Sequence, residues 1–243
     1  MTDPTSPTVL GSYPVDPRNR VKRLHERGSY DRASVWAILD SAMLAHVAYS
    51  IDGQPFCTPI LHWRDGDTLY WHGSSASRML GHLGHGMPAC LTVSHLDRLI
   101  LARSGFNHSV DYRSAMCFGT AKLVVDEEEK RRALDALIDR YYPDRAAALR
   151  PMAPQEFKAT AVIVMPIEQA SAKVRAKGVG DDEADLGHPV WAGIIPLSTV
   201  IGELEPSDTG VAVERPVTLD AYRPGRRFDE ALRETQATWE AKK

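Results

Sequence analysis

The spacing of apolar positions changes character along the chain. Val35, Trp36, Ile38, Leu39, Ala42 and Met43 recur at helical intervals behind Asp31, a good N-cap, and predict a helix over 32–42. From residue 44 the period falls to two. The runs 44–51, 54–63 and 68–72 are short and apolar or alternating. They are broken by Asp52-Gly53 and by Asp65-Gly66-Asp67, the turn chemistry of tight hairpins, so three consecutive antiparallel strands are expected. Residues 74–84 read as a short helix with Met79, Leu80 and Leu83 inward, closed by Gly84, Gly86 and Pro88. Further strands are expected at 89–95, 98–104 and 112–125, the last long enough for a barrel.

The strongest helical signal spans 126–140, with Asp126, Glu127, Glu128 and Glu129 in its first turn and Leu134, Leu137 and Ile138 on one side. A helical turn at 154–158 precedes an apolar strand at 160–167. The segments 171–176 and 189–197 complete the sheet. Between them, 178–187 is a polar loop carrying Asp181, Asp182, Glu183 and Asp185, and 229–241 reads as an exposed terminal helix. The Pro/Thr/Ser/Asp-rich residues 1–17 are expected to form a disordered arm. Residues 18–200 then make one domain, with 201–243 as a C-terminal extension. Many short strands with helices only between or after them predict a mainly β fold, an antiparallel barrel with peripheral helices. A parallel nucleotide-binding sheet would need strand-helix alternation, which 44–72 lacks.

Composition narrows the function classes. A chain of 243 residues with 43% apolar and 25% charged positions buries a core without disulfides or structural metal. With 29 Lys and Arg against 32 Asp and Glu, the formal charge of −3 offers no global field for nucleic acid or an anionic membrane. The basic stretch 18–27 is either a solvated face or a cover for an acidic surface or anion. It lacks the interleaved aromatics and reading helix of a nucleic-acid regulator. Cys57, Cys90 and Cys117 form no CxxC, sit in strand-like surroundings as small core residues, and suit a reducing cytoplasm. No signal-peptide stretch is present, and no apolar run approaches the ~18 residues of a membrane span.

One segment carries candidate binding chemistry. Tyr70-Trp71-His72-Gly73-Ser74-Ser75-Ala76-Ser77-Arg78 leaves a strand, turns through small hydroxyl residues and opens a helix. Helix-start amides, serine hydroxyls and the planar fork of Arg78 suit a phosphate. An ordinary serine cap with a surface arginine fits the same letters. His72 is either a phosphate or ring contact or a satisfied strand-end histidine. The pair His82 and His85 would share a helical face but lacks a placed acidic ligand, so no metal site is assigned. Gly81 to Gly86 follows a helix rather than a strand, outside the dinucleotide context. There is no Gly-x-Ser-x-Gly elbow, no thiol has a basic neighbour, and no catalytic residue is assigned.

Three successions carry a resemblance to a known family: Asp52-Gly53-Gln54-Pro55-Phe56 through Pro59; Leu69 through Arg78; and Phe106-Asn107-His108-Ser109-Val110-Asp111-Tyr112-Arg113-Ser114. Together they resemble the pyridoxamine 5′-phosphate oxidase-related flavin-binding proteins, and within them the nitroimidazole-resistance branch. Arg20, Arg23 and Arg27 through Asp31 fit that branch, as do Ser171 through Arg175 and Pro189 through Gly193, so the match covers about 18–197. The resemblance implies a split β-barrel homodimer with FMN in the cleft between subunits. His72, Ser77 and Arg78 would then sit at the FMN phosphate, and the backbone of Thr58, Pro59 and Ile60 would line the isoalloxazine. Tyr112, Arg113 and Ser114 would approach the cofactor or the dimer seam. For Arg113 a polar barrel-surface role stays open, for Tyr112 a core or interface role, and for Trp191 either packing or contact with the flavin edge. No counterpart of a vitamin B6-binding C-terminus is seen in 202–243. The expected activity is flavin-mediated electron or hydride transfer to a small organic acceptor. The alternative is a non-catalytic flavin or haem carrier.

Overall fold

The computed structural model describes residues 11–211 and 213–243. Its strands are β1 (Gly28–Ser29), β2 (Leu44–Ile51), β3 (Gln54–Asp65), β4 (Thr68–Ser74), β5 (His85–Leu101), β6 (Ser109–Leu123), β7 (Thr160–Pro166), β8 (Gln169–Arg175) and β9 (Gly193–Pro196). The α-helices are α1 (Arg32–Asp40), α2 (Arg78–Leu83), α3 (Glu127–Tyr141), α4 (Pro154–Ala159) and α5 (Phe228–Glu240). All strands join one antiparallel sheet in the order β1-β8-β6-β7-β4-β3-β2-β5-β9. The additional pairing of β5 with β6 rolls it into a closed ring, so the expected barrel with peripheral helices is present, and it is split where β3 and β4 part.

Local chemistry explains the elements. Asp52 and Gly53, both at positive φ (51° and 79°), make the two-residue turn that sets Ile51 opposite Gln54. Asp31 caps α1 by accepting from the Ser34 amide at 2.9 Å, and Asp126 caps α3 through Glu129 at 2.7 Å. Gly119 sits where β6 runs beneath the β7–β8 turn; a Cβ there would lie 2.1 Å from the Pro166 carbonyl oxygen. Val47, Leu69, Trp71, Leu91, Ala115 and Cys117 fill the barrel, while Trp63, Leu134, Leu137, Tyr141, Val162 and Leu232 form a second core beneath α3 and α5.

Several expectations are corrected. The segments 89–95 and 98–104 are one strand, β5, whose register shifts between Leu96 and Arg98. That bulge breaks the alternation and disguises continuity. The helix expected over 74–84 shortens to α2 because Ser74 still pairs with Thr160 and Ser77 donates back to the Ser74 carbonyl. Residues 1–10 of the expected arm lie outside the described residues, but 11–17 are docked. Tyr13 is only 2% exposed; its hydroxyl donates to Asp67 and accepts from the Trp36 indole, and Ser12 bridges Asp31. Cys57 is exposed, not core, because its neighbours Phe56 and Thr58 take the inward positions of β3.

The terminal helix α5 is likewise not exposed: Ala231, Leu232, Thr235, Gln236 and Trp239 are buried. Thr235 and Gln236 hide this face from a hydrophobic count, since they are buried through hydrogen bonds. Arg140 donates to the Leu232 carbonyl and Thr235 hydroxyl, and Arg64 forks onto Asp40 at 2.9 and 2.6 Å while reaching Glu240 at 2.8 Å. The Arg64 guanidinium also lies 4.2 Å over Trp36. Two buried arginines therefore join α1, the barrel, α3 and α5. Among the described residues, no helix is long and apolar enough to cross a membrane.

His62, fully buried beside Arg140 and Arg64, has its pKa pulled from 6.5 to about 4, mainly by desolvation. Its folded pKa is depressed, so the unfolded chain takes up the proton first, and stability present above pH 6.5 is lost as pH falls toward 4. Urea denaturation across that window should show His62→Asn losing up to about 3 kcal/mol less stability than the native chain.

Candidate functional site

The barrel opens at one place. β3 pairs with β2 along its length, from Gln54 to Leu61, but with β4 only from His62 to Asp65. β4 pairs with β7 over its whole length, from Thr68 with Pro166 to Ser74 with Thr160, and beyond Trp71 it leaves β3. Between Gln54 and Leu61 the second edge of β3 consequently has no strand partner among the described residues. Pro55 and Pro59 lie on this stretch, where a missing amide is tolerated. Thr58 turns its hydroxyl inward to Tyr49 at 3.2 Å, Ile60 is buried, and Pro59 faces out. The backbone of Thr58, Pro59 and Ile60 thus lies along the opening.

The opposite lip is the 74–78 corner. Ser74 Oγ accepts from the Ala76 amide at 3.2 Å, and the Ser77 amide donates to the Ser74 carbonyl at 2.9 Å. Ser77 occupies the N-cap position of α2, yet its hydroxyl makes no cap bond and stays available. Arg78 projects across the opening with its guanidinium 4.4 Å over the Phe56 ring. Phe56 stacks on Tyr49 at 5.5 Å, and His82 lies 6.3 Å from Tyr49. Among the described residues Arg78 has no carboxylate partner. Stacking holds the plane of the fork and leaves its N–H edges open, the arrangement that grips two anionic oxygens. Sequence reasoning had not assigned Phe56, Tyr49 and His82 to the site. The signal available was the Asp52-Gly53 turn, which sets Tyr49 opposite Phe56.

Other expected site residues lie elsewhere. Trp71 points into the barrel, so Tyr70 and His72 share the opposite face of β4, where Tyr70 stacks on Trp63 and His72 lies 6.4 Å from Trp63. The His72 imidazole is therefore turned away from the Ser77–Arg78 corner. Burial lowers its pKa, and Nδ1 has no partner among the described residues. Tyr112, Arg113 and Ser114 pair with Leu96, His95 and Ser94, whereas Tyr49 lies level with Ala89, about 20 Å back along β5. Within one protomer they do not meet the corner. Arg113 is committed to Asp97 at 2.9 and 2.7 Å and to Asp229 at 3.3 Å, and this hydrogen bonding holds the Asp97 carboxyl below the usual range. It borders a second cavity of about 320 Å³ formed with Ser41, His46, His95, Leu96 and Phe228.

Further expectations change as well. His85 begins β5 outside α2, so it shares no helical face with His82. The loop 178–187 is anchored rather than merely solvated, because Asp181 accepts from the Arg103 amide and guanidinium, each at 2.7 Å. Trp191 is 65% exposed, with one ring edge packed against Gly193. Burial pushes the Cys90 and Cys117 thiols up, away from nucleophilic use.

An antiparallel barrel split between two strands, with a serine-arginine corner on one lip, defines a class of cofactor-binding scaffold. The sequence profile of the pyridoxamine 5′-phosphate oxidase family matches residues 31–174, and the chain belongs to that family. It is similar to the flavocytochrome Anf3 from Azotobacter vinelandii, with 42% identity and a TM-score of 0.80 over 86% of this chain and 98% of that one. It is also similar to the FAD and heme binding protein from Mycobacterium smegmatis, with 35% identity and a TM-score of 0.76 over 83% and 98% of the two chains. A candidate 5-nitroimidazole antibiotic resistance protein from Bacteroides thetaiotaomicron aligns at 26% identity and a TM-score of 0.52, over 60% of this chain and 86% of that one. No curated protein matches the chain.

The geometry gives Arg113 a structural role. Arg113→Ala should lower unfolding stability by about 1–2 kcal/mol, because Asp97 and Asp229 lose a half-buried partner. Flavin affinity measured in the same preparation should be unchanged.

Proposed function

We propose that the chain is an FMN-binding flavoprotein that passes electrons or hydride to a small organic acceptor. The carrying observation is the opening between the unpaired β3 edge and the Ser77–Arg78 corner. Arg78 and the Ser77 hydroxyl hold the dianionic phosphate, while the Thr58 and Ile60 backbone groups meet the polar edge of the ring. Pro59, lacking an amide, leaves an acceptor only. When bound, the flavin supplies the redox chemistry. The Tyr49–Phe56 stack keeps the arginine plane in place, and no protein acid or base is required.

In this reading the working unit is a homodimer. The outward positions Ala48, Cys57, Pro59, Cys90, Thr92 and Met116 carry no Asp, Glu, Lys or Arg and, with His46 between Pro59 and Thr92, adjoin one another across β3, β2, β5 and β6. A second copy on that face covers the opening, excludes water and brings its own Tyr112 and Ser114 toward the ring, which one protomer does not do. The exposed Cys57 and the other free thiols support a cytoplasmic setting.

A second reading adds haem. It is supported by the similarity to a flavocytochrome and to an FAD and heme binding protein. His82 Nε2 is buried with no hydrogen-bond partner among the described residues, and a bare imidazole nitrogen of this kind fits an iron ligand. The chain is then an electron carrier or sensor rather than an enzyme.

Absorption spectra of the purified protein separate the two readings: flavin maxima alone support the first, and an added Soret band the second. Titration of apoprotein with FMN should show Arg78→Ala binding weaker by about 1–3 kcal/mol. Unchanged affinity removes the phosphate role. Anaerobic reduction by NADH or NADPH, followed by reoxidation with candidate acceptors, distinguishes turnover from storage.

A further inference from the structure

Two charged segments of opposite sign are left without partners by everything above. The first is the basic lead segment. Arg20, Lys22 and Arg23 are exposed and make no ion pair among the described residues, although the backbone around them is held. The Val21 amide donates to the Tyr30 hydroxyl at 2.8 Å, and Asn19, 3% exposed, donates to the Pro14 and Ala170 carbonyls. Arg18 lies 5.1 Å over Phe118, which pairs with Cys90. The basic segment therefore borders one margin of the uncharged sheet face.

The second is a strap in the C-terminal extension. Its base is closed: the Ile201 amide donates to the Arg226 carbonyl at 2.9 Å, the Gly225 amide donates to the Ile201 carbonyl at 2.8 Å, and Val200 bridges Arg227. Beyond this base the described residues from 202 to 217 are all exposed. They include Leu204, Val211, Val213 and Val217, at 43%, 90%, 85% and 78% exposure. Glu203, Glu205, Asp208 and Glu214 make no ion pair among the described residues. A segment with pinned ends, apolar residues in water and unpaired acids has no surface of its own chain to rest on. Thr199 and Phe228, at its base, line the same cavity as Leu44 and Leu96, so the strap springs from the opposite margin of the sheet face.

We propose that the acidic strap of one copy crosses the seam and docks on the basic lead segment of a second copy. This rests on the two-copy reading above. A two-fold axis through the sheet face exchanges the margins and sets each strap over the other copy's Arg20, Lys22 and Arg23. The free part of the strap, 202–216, ends where Val217–Tyr222 packs as a 3-10 helix, and as a loop it reaches about 25 Å from its base when extended, enough to cross four strands at about 4.8 Å spacing. Burying Leu204 and Val213 against the partner adds apolar contact to the charge match. A second copy is favoured over another partner because one chain carries both halves of the match at opposite edges of one uncharged face.

Sedimentation equilibrium of the full chain tests this. Replacing 203–214 with a short Gly-Ser link leaves the closed base and α5 intact. The dimer dissociation constant should rise about 10-fold, as expected for several exposed pairs lost together. Reversing Arg20, Lys22 and Arg23 to Glu should do the same, as should Glu203→Lys with Glu205→Lys and Glu214→Lys, and combining the two sets should restore the native value. Carbodiimide coupling of mixed light and heavy copies should join Lys22 to Glu203 or Glu205 of the differently labelled copy. A dimer that ignores the deletion, or coupling confined to one copy, overturns the strap and leaves the two-copy reading standing. A native chain that stays monomeric overturns both.

Discussion

Each residue of a strand except proline carries a backbone donor and an acceptor that must find partners. In this protein one strand edge, that of β3 from Gln54 to Leu61, is left without a strand to supply them. The cause lies in the ring closure. β7 lines one edge of β4 along its whole length, from Thr68 to Ser74, whereas β3 lines the other edge only as far as Trp71. The opening that results exposes backbone groups that the fold leaves unpaired, and the turn from β4 into α2 places Ser77 and Arg78 on its other lip. The site is thus a consequence of barrel geometry, with Phe56 and Tyr49 setting the pose of the one exposed arginine that spans it.

The opposite flank is built for rigidity. Arg64 and Arg140 are buried, and each is matched by carboxylates, hydroxyls or carbonyls from more than one element. Leaving either guanidinium unmatched in the interior would be far more costly than the pairs are favourable. α5 is therefore held in place by interactions that are all or nothing, and it also positions Asp229 against Arg113. The C-terminal extension belongs to the domain's structure at its helix, while its strap faces outward.

Particular elements show what could be read along the chain. The hairpins at Asp52-Gly53 and Asp65-Gly66, the capped helices α1 and α3, and the Ser77–Arg78 corner were legible because each is specified by contacts within a few residues. The docked Tyr13, the buried face of α5 and the continuity of β5 were not. Tyr13 meets Asp67 across 54 residues, Thr235 meets Arg140 across 95, and a bulge erases the period-two signal. His72 failed as a corner residue for a related reason. Alternation assigned it a face, but only the placement of Trp63 and α3 revealed which side of β4 that face occupies.

By itself the sequence determined the local conformations, the mainly β class and the serine-rich turn that leads into α2, because hydrophobic period, caps and turn residues act over short spans. Only the tertiary structure decided that the barrel splits beside β3 and that Arg113 forks onto Asp97. It also decided that His82, not His72, shares the cleft with Phe56. Those outcomes depend on how far each strand runs beside its neighbours and which charges meet after long-range closure, and neither is written in the spacing of residues.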